Sequence, residues 1–182
     1  MTKVFIGGSR RVSRLNEDVK RRIDRIIAQG FPVIIGDANG ADKAVQQYLQ
    51  NRGYNAVEVF CSGGVCRNNL GKWPVRAVDT SQTRKDFSFY AAKDEQMALE
   101  ASVGLMIWDG KSAGTLANAA RLVRQEKKVV VYSAPGKHFL TLRAEADLEN
   151  LVLTCGKDVQ DKIFQSISGA NHPTDANQAN LL

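Results

Sequence analysis

Short apolar runs alternate with stretches of helical period through most of the chain. Val4-Phe5-Ile6, Val33-Ile34-Ile35, Val57 to Cys61, Val103 to Trp108 and Val129 to Tyr132 are continuous and β-rich, the pattern of strands buried on both faces. Between the first two, Val19, Ile23, Ile26 and Ile27 recur at i, i+4, i+7 and i+8, which predicts a helix from Asn16 to Gln29 stopped by Gly30. Ala44, Val45, Tyr48 and Leu49 mark a second helix; Phe87, Tyr90, Ala91, Ala98 and Ala101 a third; Leu116, Ala119, Ala120 and Val123 a fourth. Strand and helix in strict alternation predict a Rossmann-like, doubly wound α/β fold: a mainly parallel five-stranded sheet with helices on both faces. Beyond Pro135 the signal weakens, with an edge strand expected at Leu151 to Thr154 and a final helix at Val159 to Ile167. Residues 1–167 are expected to form one domain and residues 168–182 a flexible tail.

In such sheets ligands bind beyond the carboxyl ends of the strands, where the strand order reverses. The first loop there is Gly7-Gly8-Ser9-Arg10: its glycines allow close backbone approach, Ser9 offers a hydroxyl, and Arg10 can grip a phosphate or carboxylate. An ordinary strand-to-helix turn explains the same residues. The second loop, Gly36-Asp37-Ala38-Asn39-Gly40-Ala41-Asp42, can present amides to an anion near a helix N-terminus. Asp42 is either a helix cap or a ligand for a ribose hydroxyl. The third runs from Asp109 to Thr115. With strand order 3-2-1-4-5 it faces the first loop, so that Gly114 and Thr115 meet a phosphate and Asn118 shares their helix face. A plain N-cap is the other reading of Thr115. Asp94 falls between Ala91 and Ala98 on an apolar stripe, where a carboxylate must be paired or line a cleft. Asp86, in Thr83-Arg84-Lys85-Asp86, reads as a cap.

Composition narrows the classes. The 182 residues are 43% hydrophobic and 24% charged, which fits one ordinary soluble domain rather than a disordered chain. No run reaches the roughly 20 apolar residues of a membrane span, and the first eleven residues lack a signal-peptide core, so a cytoplasmic protein with no membrane partner is expected. Three cysteines, Cys61, Cys66 and Cys155, are an odd number, and reduced thiols are expected. With two histidines they make no zinc spacing; neither a metal nor a cofactor is expected. The net charge is +6, and the first 30 residues carry eight basic and three acidic side chains. That excess is a solvated helix face or an attractor of polyanions. The segment from Ser62 to Thr83 is long for a loop and carries Arg67, Trp73 and Arg76, so it is read as a lid, a binding loop or a disordered stretch. Trp73 there could stack on a base or pin the loop to the core.

Taken together, VFIGGSR, GDANGAD, RKDF, KDEQM and WDGKSAGT resemble the SLOG superfamily of Rossmann-like proteins, which includes the Lonely Guy phosphoribohydrolases and the DNA-processing protein A family. The similarity spans about residues 3–133. It implies a nucleotide or nucleotide-derived ligand held by Gly7, Gly8, Ser9 and Arg10 on one side and Gly114 and Thr115 on the other. Gly36, Asp37, Gly40, Asp42, Arg84 and Asn118 complete the expected binding set. In the phosphoribohydrolases the last loop reads P-G-G-x-G-T-x-x-E, and the glutamate takes part in cleaving an N-glycosidic bond. Here Asn118 stands in its place, and an amide is neither a base nor a carboxylate nucleophile. The expectation is therefore a nucleotide sensor or nucleotide-processing protein. Two alternatives remain: an N-glycosidic hydrolase using Asp94 or Asp109 as its carboxylate, and a single-stranded nucleic-acid binder. Association into a homo-oligomer is compatible with each.

Overall fold

The computed structural model describes residues 1–79 and 87–169. Five parallel strands form where the apolar runs predict them: β1 (Val4–Gly8), β2 (Val33–Gly36), β3 (Val57–Ser62), β5 (Val103–Trp108) and β6 (Lys128–Ser133). Two more flank them, β4 (Val75–Val78) and β7 (His138–Leu142). The order is β4-β3-β2-β1-β5-β6-β7, parallel throughout except for β7, which runs antiparallel to β6. The expected order of the central five strands holds, and the sheet is wider by one strand on each side. The chain turns one way from β1 to β2 and the other way to β5, which puts the topological switch at the carboxyl ends of β1 and β5.

The helices are α1 (Glu17–Ala28), α2 (Ala41–Asn51), α3 (Phe87–Glu100), α4 (Ala113–Val123), α5 (Glu145–Leu153) and α6 (Lys157–Gly169). Asn16 caps α1, its Oδ1 accepting from the Asp18 amide at 2.8 Å, and Val19, Ile23 and Ile26 bury its inner face. On that side of the sheet they join Val45 and Leu49 of α2 against Ile6, Ile35 and Val59. On the opposite side Met97 and Ala98 of α3, Leu116 and Ala120 of α4, and Ile163 of α6 pack on Phe5, Ile34, Phe60 and Met106. Helices cover both faces, so each central strand is buried on both sides.

Several expectations change. Leu151 to Thr154 is the end of helix α5, not a strand: Leu148, Leu151 and Val152 are buried at helical spacing, and Leu153 is left exposed, so only two of the four residues are buried. As far as Asp79 the segment after β3 is packed in place rather than poised as a lid; its residues 80–83 lie outside the described ones. Trp73 is 5% exposed, its indole Nε1 donates to the Tyr54 carbonyl at 2.9 Å, and the Asn69 side chain bonds both its amide and its carbonyl, so Trp73 pins the loop and presents no face to a base. Arg76 ties β4 to Glu58 and Glu100. Cys61 and Cys66 are joined in a disulfide, against the reduced state expected of them; Gly63 and Gly64, both at positive φ, fold the chain back after β3 and bring the two α-carbons to 5.1 Å. Cys155 alone is a free thiol. Among the described residues no helix is long and apolar enough to cross a membrane. Arg84 and Asp86, and the expected tail beyond Gly169, lie outside the described residues.

Candidate functional site

A cavity of about 640 Å³ opens at the switch point, within the roughly 300–1,000 Å³ of small-molecule sites. Its wall begins with the loop after β1. Gly7 and Gly8 line it, but Gly8 is fixed by packing as well: a Cβ there would lie 2.8 Å from that of Ala41 and closer still to the Ile107 carbonyl. Ser9 is buried rather than offered to the cavity. Its hydroxyl bonds that of Thr115 at 3.0 Å and accepts from the Asp109 amide at 3.1 Å, latching the β1 loop to the β5 loop. Arg10 and Arg11 follow it at the mouth, exposed.

The loop after β5 closes the other side. Asp109 accepts from the amides of Lys111 and Ser112, at 3.0 and 2.7 Å, which folds the loop into a turn. Ser112, not Thr115, caps α4: its Oγ accepts from the Thr115 amide at 3.4 Å and bonds the Thr115 hydroxyl at 3.0 Å. Gly114 has open space where a side chain would stand, so the first turn of α4 faces the cavity uncovered.

The loop after β2 works mainly as a brace. Asp37 is 2% exposed and holds Arg67 through its amide, Nε and Nη2, the last at 2.6 Å. Burial alone would raise the Asp37 carboxyl; its hydrogen bonds and ion pair with Arg67 outweigh burial and leave it below its ordinary value. Gly40 takes φ of 85°, and its α-carbon faces the Arg10 backbone so closely that no side chain fits. Asp37, Gly36 and Gly40 lie behind the cavity wall, whereas Asp42 reaches its floor. Asp42 is not a cap: Gly40 holds that position, and the Asp42 Oδ2 accepts from the Ala38 amide at 3.3 Å.

The floor is a buried charge cluster. Lys93 is 4% exposed and donates from Nζ to the Asp94 Oδ1 at 2.7 Å. Burial pulls the Lys93 ammonium down, but Asp94 and Asp42 together more than reverse it, so the lysine is held above its ordinary value. Burial pushes Asp42 up to about 6 despite the attraction of Lys93. A Cβ on Gly36 would stand 2.5 Å from the Asp42 Oδ2 and 3.0 Å from the Lys93 Nζ, so that glycine makes room for the cluster. Asp94, half-buried, lines the cavity with its second oxygen accepting from the Asn118 Nδ2 at 3.2 Å. Asn118 in turn accepts from Arg121 at 2.7 Å, so both ends of its amide are engaged.

The structure thus brings Gly7, Gly8, Arg10, Asp42, Asp94, Asp109, Gly114, Thr115 and Asn118 round one cavity. Lys93, Tyr90 and the cations Arg11, Arg121 and Lys162 also line it, and the sequence reading passed over them. A signal for Lys93 was present. Phe89, Lys93 and Met97 repeat every four residues and are all buried, so the apolar stripe of α3 runs through Lys93 and leaves Asp94 at its edge. Tyr90 lies under two guanidinium groups, Arg67 at 4.5 Å and Arg10 at 5.5 Å from the ring centre.

No family model matches the chain, and a sequence search of curated proteins finds no match. Among solved structures it is similar to DNA processing protein A from Helicobacter pylori, with a TM-score of 0.56 and 15% identity, over 92% of this chain and 81% of that one. The fold is Rossmann-type and like that of DNA processing protein A. That structure describes a single-stranded DNA binding mode of the Helicobacter protein.

Proposed function

We propose that the cavity binds a nucleotide, with its phosphate at the mouth and its sugar toward the floor, as in the SLOG superfamily that the loop motifs resemble. The observation that carries this reading is the division of charge. Arg10, Arg11 and Lys111 stand exposed at the mouth beside the open first turn of α4, while Asp42 and Asp94 share one lysine at the floor. A phosphate is favoured by guanidinium groups and helix amides and repelled by carboxylates, so only one orientation suits it. Binding without cleavage is the preferred form, because Asn118 supplies no base and both ends of its amide are occupied. A second reading, that the nucleotide is one unit of a single strand, is supported by the likeness to DNA processing protein A and by the same cationic mouth.

Calorimetric titration with AMP, ADP-ribose and a short single-stranded oligonucleotide tests both. AMP or ADP-ribose is expected to bind, and Arg10→Ala to weaken it roughly ten- to a hundred-fold through loss of a charge-assisted contact. Binding of the oligonucleotide alone, falling steeply with salt, selects the second reading. Silence from every ligand, or an Arg10→Ala variant as tight as the parent, refutes the nucleotide site.

A further inference from the structure

We infer that Asp94 receives the vicinal diol of a ribose, so that the cavity selects ribonucleotides over 2′-deoxyribonucleotides; this rests on the nucleotide reading above. The Asp94 carboxylate is held from two sides, Oδ1 by the Lys93 ammonium at 2.7 Å and Oδ2 by the Asn118 amide nitrogen at 3.2 Å. Arg121 fixes which way that amide points, since its guanidinium needs the Asn118 oxygen. An ionised carboxylate has about four acceptor positions, and these two bonds leave about half of them for the cavity that Asp94 lines. Whatever meets them must donate hydrogen bonds. A phosphate is disfavoured there, because Asp42 and Asp94 both face the floor beside Lys93, and the neighbouring guanidinium groups of Arg67 and Arg121 are already engaged by Asp37 and Asn118.

A nucleotide carries two kinds of neutral donor, sugar hydroxyls and the amino or ring N–H groups of the base, and position along α4 chooses between them. Asn118 is three residues past Thr115, so its side chain lies about 5–6 Å, one helical turn, beyond the first-turn phosphate position. One ester bond separates a phosphate from its sugar, and the base lies farther out, so a group one turn away meets the sugar. Two adjacent hydroxyls suit the two oxygens of a carboxylate that is already oriented and already charge-compensated.

The test is titration of the intact protein with AMP, 2′-deoxyAMP and IMP, the last lacking the amino group of adenine. AMP is expected to bind roughly ten- to a hundred-fold more tightly than 2′-deoxyAMP, and IMP to match AMP. In Asp94→Asn the affinity for AMP should fall to that for 2′-deoxyAMP, whose own affinity should change little. Should that variant fail to fold with Lys93 unpaired, Asn118→Ala, which frees one side of Asp94, should narrow the preference for ribose. Equal affinities for AMP and 2′-deoxyAMP overturn the inference while leaving the nucleotide site standing. Loss of binding with IMP but not with 2′-deoxyAMP assigns Asp94 to the base and also overturns it. Silence from all three ligands refutes the nucleotide site, and the diol reading with it.

Discussion

Replacing Lys93 with methionine removes the one positive charge buried among the floor carboxylates while keeping most of the side-chain volume. Lys93 is 4% exposed; it is ion-paired with Asp94, whose side chain is 22% exposed, and it attracts Asp42, 6% exposed, without a direct ion pair, so the lysine and Asp42 have little water to compensate them. Taking one partner from a buried ion pair costs about 3–5 kcal/mol, because the charge left behind stays desolvated. Against a total stability of about 5–15 kcal/mol for a domain, that is a large fraction. The loss should depend on pH in a set direction. Asp42 is raised by burial to about 6 in the folded protein from 3.8, so its contribution is fully present below about pH 4 and is lost as pH rises through about 6. That two-unit interval corresponds to about 3 kcal/mol. Without Lys93, which draws Asp42 down, the interval moves upward, and Lys93→Met should be least damaging where Asp42 is protonated. Urea unfolding of the parent, Lys93→Met, Asp42→Asn and the double variant at about pH 5 and about pH 7.5 measures this. Asp42→Asn should recover about 1–3 kcal/mol of the Lys93→Met loss near pH 7.5. A cost below about 1 kcal/mol at the higher pH, or the same cost at both, refutes the account of the floor.

Gly40→Ala forces a side chain against the Arg10 backbone at φ of 85°, and should lower stability by more than about 2 kcal/mol in the same unfolding assay; a change near zero shows that the loop can yield. Prolonged incubation with AMP should release no free adenine by chromatography. Release by the parent that Asp94→Asn abolishes about a hundred-fold or more, with affinity retained, makes the protein a hydrolase instead.

The central five strands were legible because parallel strands covered on both faces are apolar at nearly every position, Glu58 of β3 being an exception, although the apolar run at Leu151 has the same look and ends a helix. The edges lack that constraint. Val75–Val78 is mostly exposed and has Arg76 in its middle, so nothing but its pairing with β3 marks it as a strand. The first and third loops were legible as neighbours of the cavity, since they follow the strands on either side of the switch point. Their division of labour was not. Ser9 and Asp37 look like binding groups in sequence, yet each is spent on another loop, Thr115 in one case and Arg67 in the other. Such pairings join residues far apart in the chain and leave no local pattern. The same holds for Lys162 on α6, which reaches the cavity only because that helix packs across α4. Cys61 and Cys66 were read by counting, whereas two glycines between them decide the outcome.

The hydroxyl contact of Ser9 with Thr115 joins positions 106 residues apart. Closing so long a loop costs chain entropy before any contact across it compensates. The two halves of the mouth therefore meet only after β1 has found β5, which enters the sheet after four other strands have been made. During synthesis the emerging chain exposes Arg10, Arg11 and Arg67 long before it has a pocket to arrange them round. The cavity draws its two sides from parts of the chain made early and late, and a ligand seated in it would bridge the seam between them.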